Sequence, residues 1–186
     1  LLITGPYEVS SYDPNTGERF WYCDGPTKVG ASTITFGEDL VYASAGYPKK
    51  NLLCIRADGS GDVTDTHLVW KDKKASYVPS LLLHEGLLYM VNDKGLLRCF
   101  EADTGTLVWQ KKLGGEFSSS PVLVGDNIYL ISEGGMTHVF KTGREYQLVA
   151  ENKLEDEGFA TPTICGGRIY LRTLHHLYCL GAPDAE

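Results

Sequence analysis

The chain is poor in the features that announce chemistry. Its five cysteines (Cys23, Cys54, Cys99, Cys165, Cys179) include neither an adjacent pair nor a Cys-x-x-Cys, and no Gly-x-Ser-x-Gly elbow occurs. An odd, scattered cysteine count argues against both a disulfide framework and a zinc site. No apolar run approaches the roughly 20 residues of a membrane span; the longest, Leu87 to Val91 and Ile128 to Ile131, are strand-sized. No basic cluster exceeds a pair, as at Lys49-Lys50, Lys73-Lys74 and Lys111-Lys112, and 24 acidic against 17 basic residues give a net charge of −7. Such a surface repels phosphate backbones, so nucleic acid is not an expected partner. No signal-peptide pattern is expected within these residues, and they contain no Asn-x-Ser/Thr sequon. The chain opens on Leu-Leu-Ile-Thr rather than Met, so a natural start is expected upstream.

Helical periodicity is missing as well. Gly and Pro supply 21 and 8 of 186 residues and punctuate the chain every ten or so, which leaves room for short strands only. What is present instead is a repeat. Tyr42, Tyr89, Tyr129 and Tyr170 each close an apolar strand, at intervals of 47, 40 and 41 residues. Nine residues before each stands a hydroxyl: Thr33, Ser80, Ser120 and Thr161. Each unit reads as four short strands, the first two joined by a tight turn such as Gly125-Asp126. The central strands are continuously apolar, so both faces of every sheet must be covered.

Four-stranded antiparallel sheets with a period near 40 residues and two covered faces describe the blades of a β-propeller. A β-sandwich does not explain the period. The expected organisation is all-β: residues 1–27 end one blade, 28–73, 74–113 and 114–154 are whole blades, and 155–182 supply three strands of a last blade. That makes about four blades, the C-terminal half of a ring of roughly seven or eight. The last sheet then needs an outer strand from elsewhere, because an unpaired edge invites aggregation.

One phrase recurs. Ser11-x-Asp13-x-x-Thr16-Gly17-x-x-x-Trp21 and Cys99-x-Glu101-x-x-Thr104-Gly105-x-x-x-Trp109 share their turn and their aromatic at identical offsets. The phrase resembles the tryptophan-docking motif of pyrroloquinoline-quinone (PQQ)-type propellers, A-x-D-x-x-T-G-x-x-x-W. The resemblance implies that Trp21, Trp70 and Trp109 pack between neighbouring blades. The second unit is a longer variant, Ala57-Asp58-Gly59-Ser60-Gly61, with an insertion before Trp70; the intact motif at Trp109 therefore predicts a larger loss for Trp109→Ala than for Trp70→Ala. The fourth unit keeps Thr142-Gly143 but has Ala150 where Trp is expected. Cys54, Cys99 and Cys179 fill the small first position and read as buried thiols. No Trp is followed by Asp, so a WD40 reading is weaker.

Candidate sites are few. His67, His84, His138, His175 and His176 read as structural or surface residues. His175 and His176, adjacent on an expected strand, would point to opposite faces and share no metal. Asp58, Ser60 and Asp62 place oxygen donors at alternate positions like the start of a calcium loop, but Val69 stands where the twelfth-position Glu belongs; a long polar turn is the simpler reading. Tyr77, Phe117 and Phe159 sit just upstream of the first strands, where they either line a binding rim around the central channel or plug blade junctions.

No catalytic, cofactor or metal residue is therefore assigned. The resemblance implies a non-catalytic scaffold that binds a protein partner or small ligand, completed by further blades of the full-length chain, and in repeat type similar to the propeller lipoprotein of the outer-membrane β-barrel assembly machinery. It implies a periplasmic or secreted location. Two alternatives stay open: part of a PQQ-dependent dehydrogenase, with PQQ and calcium, and a sensor domain of a larger enzyme. The quinoprotein site motifs, an adjacent-cysteine disulfide among them, have no match in this chain.

Overall fold

The computed structural model describes residues 1–181, so residue 182 of the last expected blade lies outside the described residues. All named elements are strands. The first sheet contains β1 (Leu2–Thr4), β2 (Glu8–Tyr12) and β3 (Arg19–Asp24). Then come β4 (Thr35–Phe36), β5 (Leu40–Ala45), β6 (Asn51–Arg56), β7 (Gly61–Asp62) and β8 (Leu68–Asp72). The third sheet is β9 (Leu82–His84), β10 (Leu87–Val91), β11 (Leu96–Glu101) and β12 (Leu107–Lys112). The fourth is β13 (Val122–Val124), β14 (Asn127–Ile131), β15 (Met136–Lys141) and β16 (Leu148–Lys153). The last is β17 (Thr163–Cys165), β18 (Arg168–Arg172) and β19 (Leu177–Leu180).

Neighbouring strands within the second to fifth sheets pair antiparallel in sequence order, apart from β7, which leaves its own sheet. It runs parallel to β3, with Trp21 opposite Gly61 and Tyr22 opposite Asp62, and covers the outer edge of the first sheet. The insertion ahead of Trp70 is thus a strand lent to the preceding blade. Within the second sheet β6 pairs directly with β8 and the tryptophan returns to register.

The same cross-strand pairs recur in each sheet. Tyr42 faces Cys54, which faces Trp70; Tyr89 faces Cys99, which faces Trp109. In the fourth sheet the row is Tyr129, Val139, Ala150, and in the last it stops at Tyr170 and Cys179. A register shift follows the small residue at Ser11, Cys54, Cys99 and Val139 alike. Such a bulge bends the outer strand and increases its local twist, which re-aims the side chain beside it.

The core lies between sheets. One cluster joins Tyr42, Leu52 and Cys54 of the second sheet to Leu88, Met90 and Phe100 of the third. Another joins Tyr89, Val91 and Cys99 to Ile128, Leu130 and Phe140 of the fourth, and a third joins Val9, Trp21 and Cys23 to Val41, Ala43 and Leu53. Residues alternating along one strand, such as Leu88 and Tyr89, serve opposite clusters. That is why β10 is buried throughout and why its sequence does not alternate. The fold is a β-propeller, present as an open arc of blades.

Candidate functional site

Each tryptophan crosses a blade junction. The indole N–H of Trp21 donates to the carbonyl of Ala57 (2.9 Å), that of Trp70 to Ala102 (2.9 Å), and that of Trp109 to Gly143 (3.0 Å). Trp70 lies so close over Gly105 that a Cβ there would fall 2.8 Å from the ring, and Gly105 holds φ +70°. Glycine is needed on both counts. Around Trp109, Tyr146 and Phe140 stack edge-on with centroids 5.6 and 6.4 Å away, and the Tyr89 hydroxyl accepts the Gly143 N–H at 2.7 Å. Trp70 makes the same carbonyl bond across its junction as Trp109 despite the insertion before it. Its insertion leaves with β7, and the indole docks as Trp109 does.

The hydroxyls nine residues before each tyrosine form a seam on the other side of the blades. Thr33 N–H donates to Ser80 Oγ, Ser80 N–H to Ser120 Oγ, and Ser120 N–H to Thr161 Oγ1, each at 2.9 Å. Backbone donors at the start of each blade thus find partners in the next blade rather than in their own.

At one edge of the blades the turns of the second, third and fourth sheets surround an open cleft of about 470 Å³. Glu38, Asp39, Glu85, Glu101 and Asp103 line it, and the single cation, Arg144, is held by Glu101 through two bonds, one of them 3.0 Å. PQQ carries three carboxylates of its own. A cleft of carboxylates whose guanidinium is already engaged repels it, so the residues present here do not fit that cofactor.

No Ser, Thr, Cys or His lines this acidic cleft, so no nucleophile–base pair faces it. His67 Nδ1 lies 2.7 Å from Thr66 Oγ1 and its Nε2 3.4 Å from Asp58, but this set sits on the exposed insertion turn and lines none of the clefts described here. Asp58 also pairs with Arg56, while Asp62 accepts from Thr64 N–H and the Tyr22 hydroxyl, so the two acids of the calcium-like run face different partners. His138, buried, pairs with Glu151 at 2.9 Å. Among the described residues no group of three or more His, Cys, Asp or Glu is placed to hold a metal ion.

His175 and His176 depart from expectation. They lie in the bend before β19 rather than on a strand, and both turn Nδ1 toward one carboxylate, Asp156, at 2.9 Å each. The Thr173 hydroxyl donates to the same group at 2.7 Å. Bonds from Thr173, then His175 and His176, hold the Asp156 carboxyl well below the usual carboxylate range. This cluster ties the connector after β16 to the last sheet.

The three aromatics upstream of the first strands are not equivalent. Phe117 is buried, with His138 at 6.0 Å, and is a core plug rather than a rim contact. Tyr77 is half-buried against Gly46, and Phe159 is exposed. The cysteines divide as well. Burial pushes the Cys54 and Cys99 thiols up to about 12 and Cys23 to about 11, whereas Cys165 and Cys179 are exposed. Cys179, expected to be buried, is uncovered because no strand pairs outside β19 among the described residues. No helix among the described residues is long and apolar enough to cross a membrane.

This arrangement matches known proteins. A family model described as outer membrane protein assembly factor BamB fits residues 6–146 and, overlapping them, 93–179. A curated relative of that description from Legionella pneumophila (strain Paris) is 25% identical over 172 residues, covering 89% of this chain and 44% of its own length. The crystal structure of BamB from Moraxella catarrhalis superposes with a TM-score of 0.70 at 18% identity, over 92% of this chain and 52% of that one. A europium-containing methanol dehydrogenase superposes with a TM-score of 0.54 at 14% identity, over 67% of this chain and 25% of that one, a likeness of fold alone. The chain spans about half the length of the curated relative it matches.

Proposed function

We propose that this chain, which belongs to the outer membrane protein assembly factor BamB family, works as a non-catalytic propeller scaffold that holds a protein partner during outer-membrane assembly on the periplasmic side of the envelope. Further blades complete its ring. The observation that carries this reading is where the polar chemistry goes. The hydroxyl seam and the tryptophan N–H groups are spent on blade-to-blade bonds, and the acidic cleft contains no base–nucleophile pair. A rigid arc with its chemistry turned inward offers surfaces rather than reactions.

The test is photo-crosslinking in cells from positions on the blade turns of the full-length protein. Cross-links to components that fold outer-membrane β-barrels, with reduced barrel protein in the outer membrane on deletion, are expected. Dye-linked alcohol oxidation by the full-length protein reconstituted with PQQ and calcium would overturn the scaffold reading.

A further inference from the structure

At the edge opposite the acidic cleft, the loops of the first two sheets carry a surface of different character. Tyr7 and Tyr47 are 61% and 60% exposed, with Val29 exposed between them and Tyr77 beyond. Large exposed aromatics normally sit on yielding loops; these are stitched down. Gly25 N–H donates to Tyr7 O (2.7 Å), Val29 N–H to Tyr47 O (2.9 Å), and Thr27 Oγ1 to the same Tyr47 oxygen (3.1 Å). Asn51 Nδ2 clamps the carbonyls of Gly25 and Pro26. Gly46 comes so near Tyr77 that a Cβ would lie 2.2 Å from its Cβ.

Tyr7 also holds φ 73°, a left-handed conformation that costs a bulky residue energy and tends to persist where something is gained by it. Around these rings stand Lys28, Lys49 and Lys50, all exposed. Two lysines elsewhere are paired, Lys74 with Asp72 and Lys94 with Glu116. Among the described residues none of Lys28, Lys49 and Lys50 has a carboxylate partner. In a chain of net charge −7, three exposed cations beside two fixed tyrosines outnumber the acids that flank these loops, Glu8, which Arg19 already pairs, and Asp24.

We propose that this surface docks an acidic protein segment bearing an aromatic or aliphatic anchor, a proposal that rests on the scaffold reading and specifies the partner's chemistry. The tyrosines give rigid contact area at little entropic cost, and the lysines steer and register the acidic flanks. An anionic bilayer is the lesser fit, because polybasic membrane sites gather about four to eight cations and this surface has three.

The probe is a fluorescein-labelled peptide with one phenylalanine flanked by aspartates and glutamates, titrated by anisotropy against the chain. Binding that weakens with added salt is expected. Lys49→Glu with Lys50→Glu should weaken it about tenfold, roughly 1.4 kcal/mol, and Tyr47→Ala should do likewise. Lys111→Glu with Lys141→Glu, away from the loops, should leave it unchanged. Tyr7→Gly separates binding from folding: it relieves the backbone, raising the melting midpoint, while lowering affinity. Failure of the peptide to bind, equal binding by all variants, binding to phosphatidylglycerol vesicles in place of peptide, or self-association abolished by the lysine reversals would each overturn the proposal. If the full-length Lys49→Glu/Lys50→Glu variant still cross-links to assembly components while the peptide is not bound, this surface is wrong and the scaffold stands. If wild type itself cross-links to none, the scaffold reading fails.

Discussion

Trp70 and Ala150 occupy the same place in their sheets, one opposite Cys54 and the other opposite Val139, each beside the same bulge. Trp70 reaches the next blade, bonds Ala102 and lies against Gly105. Its neighbour Tyr42 is 1% exposed. In Ala150's own sheet Tyr129 is only half-buried, and Tyr170 of the following sheet is 38% exposed. The junction there is polar instead. Asp156 gathers Thr173, His175 and His176. One backbone repeat therefore supports two kinds of joint, an apolar wedge and a hydrogen-bonded carboxylate. The wedge depends on shape, the carboxylate on its charge.

The contrast breaks most sharply at the wedge. Trp70→Ala and Trp109→Ala should each cost about 3–5 kcal/mol, read as matching losses in urea unfolding; a cost for Trp70→Ala far below that for Trp109→Ala would restore the view that its insertion spoils the dock. Gly105→Ala comes next, at about 1–3 kcal/mol for a strained backbone, with more added by its contact with the indole. Gly166→Ala, with φ +56° but nothing within 4 Å of its Cβ, should cost less.

At the polar joint, Asp156→Asn should destabilise at neutral pH, and the gap to wild type should close in acid. The sign follows from the lowered carboxyl: its contribution is complete above the unfolded value near 3.8 and is lost as pH falls through the folded one. Melting curves of both proteins from pH 5 down to about pH 2 would show the gap begin to narrow below 3.8; a gap that stays constant there would mean the carboxylate is not what holds the joint. The smallest effect is chemical. A thiol reagent should label Cys165 and Cys179 in the native chain and reach Cys23, Cys54 and Cys99 only on unfolding, which would map where the wedged joints begin.

The sequence displayed the unit better than the joints between units. Tyrosine spacing, the recurring hydroxyl and the departure at Ala150 were all legible, because each is a position within one repeat. Partners across blades were not. Nothing in the letters says that Ser80 Oγ accepts from Thr33, or that Gly61-Asp62 leaves its own blade to pair with β3. His175 and His176 were misplaced because two adjacent residues were read as strand when a bend lets both reach Asp156. Phe117, upstream of a first strand exactly as Tyr77 is, became core because His138 and Ile128 close over it; only packing separates the two. The surface of Tyr7, Tyr47 and Lys28 was missed altogether, since its members come from three loops outside the repeat.

The hydroxyl seam has an evolutionary consequence. Thr33, Ser80, Ser120 and Thr161 obey one rule, that each blade's leading amide is received by a hydroxyl on its successor. The rule fixes what a newcomer must bring and is silent on how many newcomers there are. A duplicated blade arrives already carrying the acceptor its predecessor needs and the donor its successor will receive. Gene duplication can lengthen such an arc without rewriting the neighbours at either side.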